Sequence, residues 1–401
     1  MSPTAVVVGT SIGGIRTAQA LRRNDYPGDI VLLGEETELP YDKPPLSKEL
    51  LAGTSTTERV RLLAEDAADQ HFRVLLGRRA EALDIANHAV VTDEGPVRYD
   101  HLVIATGARA RPSPWGDGPG IHLLRTMSDA QQLRQTLADV GSLLVVGGGF
   151  IGAEVASTAQ HYGVEVTLVD PLERPLGRAV GPTMGQLLCD LHHRHGVATH
   201  FGAGVESVTP AAHGLQVVAT DDTSFTPDAV LVAIGAVPND DWLQSSGLLV
   251  DNGVICDEHC RAAGASDIYA VGDVARWFHP RHEAHTRVEH WTNAVEQALC
   301  VAHNICHPDE LRTYAPVEYV WSDQYDWKLQ FAGRTDQGGH EVQIGDVDTD
   351  GRLATLYGDA DGELIGAATI NWPKAMATCR RRLLDRVSVD EMREALGPAG
   401  R

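Results

Sequence analysis

The sequence predicts an α/β chain in which one β-α-β design is used twice, followed by a smaller α+β domain. Three observations carry that expectation. Short apolar strands run into glycine-rich turns at residues 9–14 and 147–152, and each turn opens a helical pattern. Further apolar runs at 101–105, 229–234 and 268–271 also stop at a glycine. That is expected where ligands sit beyond the carboxyl ends of parallel strands. After Pro316, Trp321, Trp327 and Trp372 appear among alternating segments that read as antiparallel strands.

The first unit takes residues 4–8 as a strand, Gly9-Thr10-Ser11-Ile12-Gly13-Gly14 as the turn and Ile15 to Arg23 as the helix. A second strand, Ile30 to Leu33, ends at Gly34-Glu35. The second unit repeats this with the strand 142–146, the turn Gly147-Gly148-Gly149-Phe150-Ile151-Gly152, a helix from Ala153 to Tyr162 and a strand ending at Asp170. The turns lie 138 residues apart, which marks two domains of one type and not a solenoid. The proline-rich stretch 112–119 reads as a loop or linker. In the last domain, 315–401, a hairpin is expected near Asp361-Gly362 and a final helix from about Lys374 to Asp385.

A chain of 401 residues has room for two or three domains. A net charge of −22 argues against non-specific nucleic-acid binding and against an anionic membrane surface. No apolar stretch approaches the roughly 20 residues of a spanning helix, and no signal-like segment precedes the first strand, so a cytoplasmic protein is expected. The six cysteines are too few and too scattered for a secreted disulfide framework. None falls in residues 1–188, which removes thiolate chemistry beside the first helix. Cys256 and Cys260, with His259 between them, lack a second ligand pair, so no metal site is expected.

Gly147-x-Gly149-x-x-Gly152 between a strand and a helix is the pattern of a dinucleotide-binding turn. The first glycine permits the tight turn, the second lets backbone approach a pyrophosphate, and the third allows helix and strand to pack closely. Asp170, 18 residues past Gly152, is placed to accept hydrogen bonds from a ribose diol and to repel a 2′-phosphate, which favours NADH. The first turn differs in carrying Ser11 where the second glycine would stand, and Glu35 takes the ribose role.

Residues 39–51 read as a rigid proline loop feeding a helix capped near Ser47. Tyr41-Asp42-Lys43-Pro44-Pro45-Leu46-Ser47-Lys48, following the first turn, resembles the FAD-dependent ferredoxin reductases that serve cytochromes P450 and Rieske-type oxygenases. These belong to the pyridine nucleotide-disulfide oxidoreductase superfamily. Ala105-Thr106-Gly107-Ala108, Leu124-Arg125-Thr126, Ala233-Ile234-Gly235, Ala270-Val271-Gly272-Asp273, Glu289-His290-Trp291 and Trp321-Ser322-Asp323-Gln324 match in family order.

The resemblance implies a glutathione-reductase-like fold with two Rossmann-like domains. Residues 1–109 and 241–314 would bind FAD, 110–240 NADH, and 315–401 would form the C-terminal α+β domain. Gly9, Ser11, Gly13, Gly14 and Glu35 would hold the FAD adenosine diphosphate, with Ala80 contributing a backbone contact to the adenine. Asp273 after Gly272 would bind the ribityl chain, Trp291 would lie against the isoalloxazine, and Thr106, Gly107 and Arg125 would complete the FAD set. Gly147, Gly149, Ile151, Gly152, Glu154, Asp170 and Gly235 would hold NADH.

Lys48 and Glu154 are the implied catalytic pair. Flavin reduction builds negative charge near N1–C2; a fixed ammonium stabilises it, and a carboxylate keeps the ammonium oriented. The implied reaction passes a hydride from NADH to FAD, then single electrons to an iron–sulfur ferredoxin supplying a P450 or Rieske oxygenase, in a monomer or homodimer. Other acceptors (rubredoxin, a nitrite reductase partner, ascorbyl radical) and an apoptosis-inducing-factor-like signalling role stay open. An acidic ferredoxin would need a local positive patch, for which Arg281, Arg287, Lys328, Arg334 and the run Arg380-Arg381-Arg382 are candidates.

Overall fold

The computed structural model describes residues 2–63, 71–335 and 339–397. The chain divides into two compact units. One comprises residues 1–43, 56–109 and 236–316; the other comprises 44–55, 110–235 and 317–401.

The first unit is built on a five-stranded parallel sheet. Its order is Ile268–Ala270, His101–Ile104, Thr4–Val8, Asp29–Leu33 and Arg73–Leu75. Ala5, Val6 and Val7 are buried on both faces, as a doubly covered parallel strand requires, which is why the run is continuously apolar rather than alternating. The helix Ile12–Arg23 starts three residues earlier than its apolar pattern, because Ser11 is its N-cap and Gly13 and Gly14 in its first turn carry no side chain to register in that pattern. It packs with the helix Trp291–Cys306. The approach is close at Gly13, where an added Cβ would lie 3.3 Å from Val271 Cγ2 and 3.8 Å from Ala294 Cβ.

The second unit repeats the design. Its parallel sheet runs Ala198–Phe201, Glu165–Asp170, Ser142–Val146, Ala229–Val232 and Ile121–His122. The helix Phe150–Ala159 follows the second glycine turn, and its last expected turn tightens into a 3-10 segment, Gln160–Tyr162. Residues 44–55 do not form the expected helix capped at Ser47. Pro44–Ser47 is a 3-10 turn, set by two successive prolines with fixed φ.

The C-terminal part is an antiparallel sheet ordered Tyr319–Gln324, Trp327–Gly333, Leu364–Ile370, Arg352–Gly358 and His340–Asp346. The helix Pro373–Arg382 covers it, as the pattern predicted. A further helix, Val389–Leu396, was not expected. Its start is marked by a capping box in which Ser388 and Glu391 exchange bonds.

The hairpin turn after Gln324 is joined to the helix Pro182–Arg194 by a buried histidine. His192 is wholly buried and its Nδ1 lies 2.8 Å from the Tyr325 hydroxyl. Burial, reinforced by the neighbouring His193 and His195, pulls its pKa from 6.5 down to about 4. The unfolded chain therefore takes up this proton at a higher pH than the folded one. Its stability contribution is complete above about pH 6.5 and is lost as pH falls toward about 4. The unfolding midpoint should drop across that window, and His192→Gln should flatten that part of the profile; a profile identical in wild type and variant would contradict this.

Candidate functional site

The two glycine turns share one construction. Gly9 and Gly147 have φ of 117° and 110°, which side chains rarely adopt. A Cβ on either would collide with a carbonyl, Ala105 O at 2.1 Å or Ala233 O at 2.3 Å. A Cβ on Gly14 would lie 1.8 Å from Gly9 O, and one on Gly152 would lie 1.9 Å from Gly147 O. Both are required by the chain itself.

The middle position differs in kind. Ser11 (φ −81°, ψ −169°) and Gly149 (φ −74°, ψ −175°) have nearly the same extended backbone, which any residue adopts. A Cβ on Gly149 would meet nothing within 4 Å. No internal packing demands glycine there, so its bareness fits an outside group that approaches the backbone. The Ser11 side chain makes no capping bond to its own helix, leaving its hydroxyl available to such a group. Both turns present the free N–H groups of a helix N-terminus, 12 and 10 residues long, to an anion. Ile151, in the first turn of the second helix, is left 42% exposed.

Asp170 sits at the strand end as expected. Its Oδ2 accepts from Gly148 N–H at 2.7 Å and its Oδ1 from Leu172 N–H at 2.8 Å. The carboxylate thus fixes the glycine turn while each oxygen keeps a lone pair for a diol. Glu35 is more open: its side chain is 70% exposed and lies 3.7 Å from Arg79. A small cleft beside it is lined by Thr10, Ser11, Glu36, Glu38, Pro40, Tyr41 and Lys43. Ala80 begins the strand Ala80–Asp84, directly after Arg79.

Within the first unit, Thr106 and Gly107 are locked to Asn239. Thr106 Oγ1 donates to Asn239 O (2.7 Å), Asn239 Nδ2 returns a bond to Thr106 O (2.9 Å), and Asn239 N–H donates to Gly107 O (2.9 Å). Gly272 N–H is held by Gln297 Oε1 at 2.7 Å, which sets the turn carrying Asp273. Trp291 opens its helix with the indole Nε1 donating to Asp42 Oδ1 at 2.7 Å. Asp42 lies within the 41–48 motif, but its role in holding Trp291 depends on a contact 249 residues away in sequence, which no local pattern shows. Arg287, a docking candidate, is not a surface cation. Its side chain is 13% exposed, lies 3.0 Å from Glu289 and donates to Asp273 O at 3.1 Å.

Within the second unit, Lys48 and Glu154 do meet, with Nζ 2.7 Å from Oε2. Glu154 is only 3% exposed. The Ser47 hydroxyl also donates to Oε2, and the Ser322 hydroxyl donates to Oε1 at 2.6 Å. Lys48 Nζ gives a further bond to Pro44 O at 3.2 Å. Arg125 precedes the capping box of the helix Met127–Asp139, and its backbone N–H donates to Asp129 Oδ2 at 2.9 Å. Gly235 has φ of 106° and no atom within 4 Å of an added Cβ. Its carbonyl accepts from Arg111 N–H at 2.9 Å.

All six cysteines are free. Burial pushes Cys300 and Cys306 up to about 11 and Cys379 up to about 12. Burial also raises the pKa of Cys189, Cys256 and Cys260.

Two family models together match most of the chain: pyridine nucleotide-disulphide oxidoreductase over residues 3–298 and reductase C-terminal over 319–396. The chain is 37% identical over 382 residues to the ferredoxin–NAD(+) reductase component of an anthranilate 1,2-dioxygenase system from Burkholderia cepacia, covering 94% of this chain and 93% of the relative. It is 34% identical over 396 residues to putidaredoxin reductase of Pseudomonas putida, covering 96% and 92%. The solved covalent complex of putidaredoxin reductase with putidaredoxin matches with a TM-score of 0.91 at 32% identity, over 98% of this chain and 96% of that one. With two glycine turns of one construction, each opening from a strand of a five-stranded parallel sheet, and this similarity along nearly its whole length, the chain belongs to the pyridine nucleotide-disulphide oxidoreductase family.

Proposed function

We propose that this chain is an NADH-dependent ferredoxin reductase carrying FAD, and that it supplies electrons to an iron–sulfur ferredoxin of a P450 or Rieske oxygenase system. The bound flavin would supply the chemistry, taking two electrons as hydride and releasing them singly. The observation that carries the reading is the pair of dinucleotide turns in a chain with no cysteine in residues 1–188. Both nucleotides have a cradle, and no dithiol stands ready to take the electrons onward. The relatives' names as ferredoxin reductase components support the acceptor.

The chain's own residues have distinct tasks in this reading. Gly9, Ser11, Gly13 and Gly14, with Glu35, hold the FAD diphosphate and ribose; Gly147, Gly149 and Gly152, with Asp170, hold those of NADH. Ala80, Thr106, Gly107, Gly272, Asp273, Arg125 and Trp291 place the rest of FAD, and Ile151 and Gly235 border the NADH path. Lys48 keeps a positive charge at the flavin, and Glu154 orients it. No acid, base or nucleophile has to act on the substrate. The division into an FAD domain (1–109 and 241–314), an NADH domain (110–240) and a C-terminal domain (315–401) belongs to the same reading. So does a cytoplasmic location; among the described residues no helix is long and apolar enough to cross a membrane.

The test is a coupled assay. Purified protein loaded with FAD should reduce cytochrome c from NADH at a rate that depends on an added [2Fe–2S] ferredoxin. A rate unaffected by any such ferredoxin, with ferricyanide still reduced, would remove the acceptor assignment and leave the NADH step standing.

A further inference from the structure

Glu154 is held from two sides by different means. Its Oε2 takes Lys48 and the Ser47 hydroxyl, and Ser47 also has the Pro44 carbonyl as a second acceptor at 3.5 Å. Among the described residues its Oε1 takes only Ser322, whose hydroxyl lies 2.6 Å away. Ser322 is wholly buried and is itself approached by Gln324 Nε2 at 3.2 Å. An amide N–H only donates and a carboxylate only accepts, so the direction is set: Gln324 donates to Ser322, and Ser322 donates to Glu154. Ser322 and Gln324 point to one face of the strand Tyr319–Gln324, two residues apart. The end of that strand is pinned to Glu154's own helix, since Tyr325 N–H donates to Ser157 Oγ at 2.6 Å. Serine and glutamate therefore cannot drift apart without breaking a second bond.

We propose that Ser322, backed by Gln324, is a positioning residue for flavin reduction, holding the Glu154 carboxylate in the orientation that aims the Lys48 ammonium. The C-terminal domain then takes part in the NADH step, and does more than cover the site. This rests on the reading of Lys48 as the charge beside the flavin. Without Ser322 a buried carboxylate oxygen has no donor among the described residues, and the carboxylate is free to rotate or to draw the ammonium toward both its oxygens. Either change misplaces the charge without touching the nucleotide cradles.

The experiment compares Ser322→Ala, Ser322→Thr, Lys48→Met and Ser322→Ala combined with Glu154→Gln in the FAD-loaded protein. Ser322→Ala should slow flavin reduction at saturating NADH roughly tenfold, with NADH affinity unchanged. Ser322→Thr, which keeps the hydroxyl, should restore most of the rate. Adding Ser322→Ala to Glu154→Gln should slow it no further. Thermal unfolding gives a readout apart from activity. Ser322→Ala should lower the midpoint by roughly 3 °C when Glu154 is present, and by much less in the Glu154→Gln protein. A wild-type rate for Ser322→Ala alongside a slow Lys48→Met overturns the proposal and leaves Lys48's role intact. Equal slowing by Ser322→Ala with and without Glu154 also overturns it. Wild-type rates in both Lys48→Met and Ser322→Ala remove the reading of Lys48, and the proposal with it.

Discussion

Lys48→Met should slow reduction of the flavin by NADH about a hundredfold, the scale of losing one preorganised charge from a buried site. Glu154→Gln should come close to the same loss. The geometry explains why two chemically different changes converge. The ammonium and carboxylate are 2.7 Å apart, with side chains 13% and 4% exposed, so solvent does little to replace a missing partner. Removing the carboxylate leaves a buried ammonium that keeps only the Pro44 carbonyl among the contacts described above. Removing the ammonium leaves a carboxylate held by two hydroxyls and aimed at nothing. The double variant should therefore be little slower than either single one. Stopped-flow measurement of the flavin band under anaerobic conditions reads this directly. Fully multiplicative losses would show that the two side chains act separately.

Asp170→Ala should cut the preference for NADH over NADPH at least tenfold in kcat/KM, by removing the repulsion toward a 2′-phosphate. The structure adds a second consequence. Because Asp170 also accepts from Gly148 and Leu172, its loss frees the glycine turn 147–152. KM for NADH should rise along with the fall in discrimination, and the gain toward NADPH should be smaller than the loss toward NADH. Steady-state kinetics with both nucleotides separates the two parts. Equal use of NADPH by the unaltered protein would show that Asp170 does not select the cofactor.

The parts of the fold visible in the sequence were those that repeat or alternate. The two parallel strands Thr4–Val8 and Ser142–Val146 announce themselves as apolar runs that stop at a glycine, and sterics leave little choice about what stands at Gly9, Gly14, Gly147 and Gly152. Boundaries were less legible: the helix Phe150–Ala159 stops before Tyr162 because the last residues tighten into a 3-10 turn that hydropathy does not register. The helix Val389–Leu396 is hard to see in the sequence although Ser388 and Glu391 carry its capping signal, since its apolar stripe is only Val389, Met392 and Leu396 across two turns. The partners of the candidate pair were hidden for another reason. Ser47 and Ser322 lie 275 residues apart, and a serine hydroxyl has no pattern that tells a carboxylate's partner from a solvated surface group. Arg287 shows the opposite failure, since a charge that reads as surface in sequence is spent inside on Glu289 and a carbonyl.

The burial of the thiols has a consequence for the life of the protein. Peroxide attacks the thiolate and not the thiol. Each of the six cysteines has its pKa raised by its surroundings, so at neutral pH very little thiolate exists anywhere in the chain. The sulfurs that serve as packing are therefore also poor targets for sulfenylation.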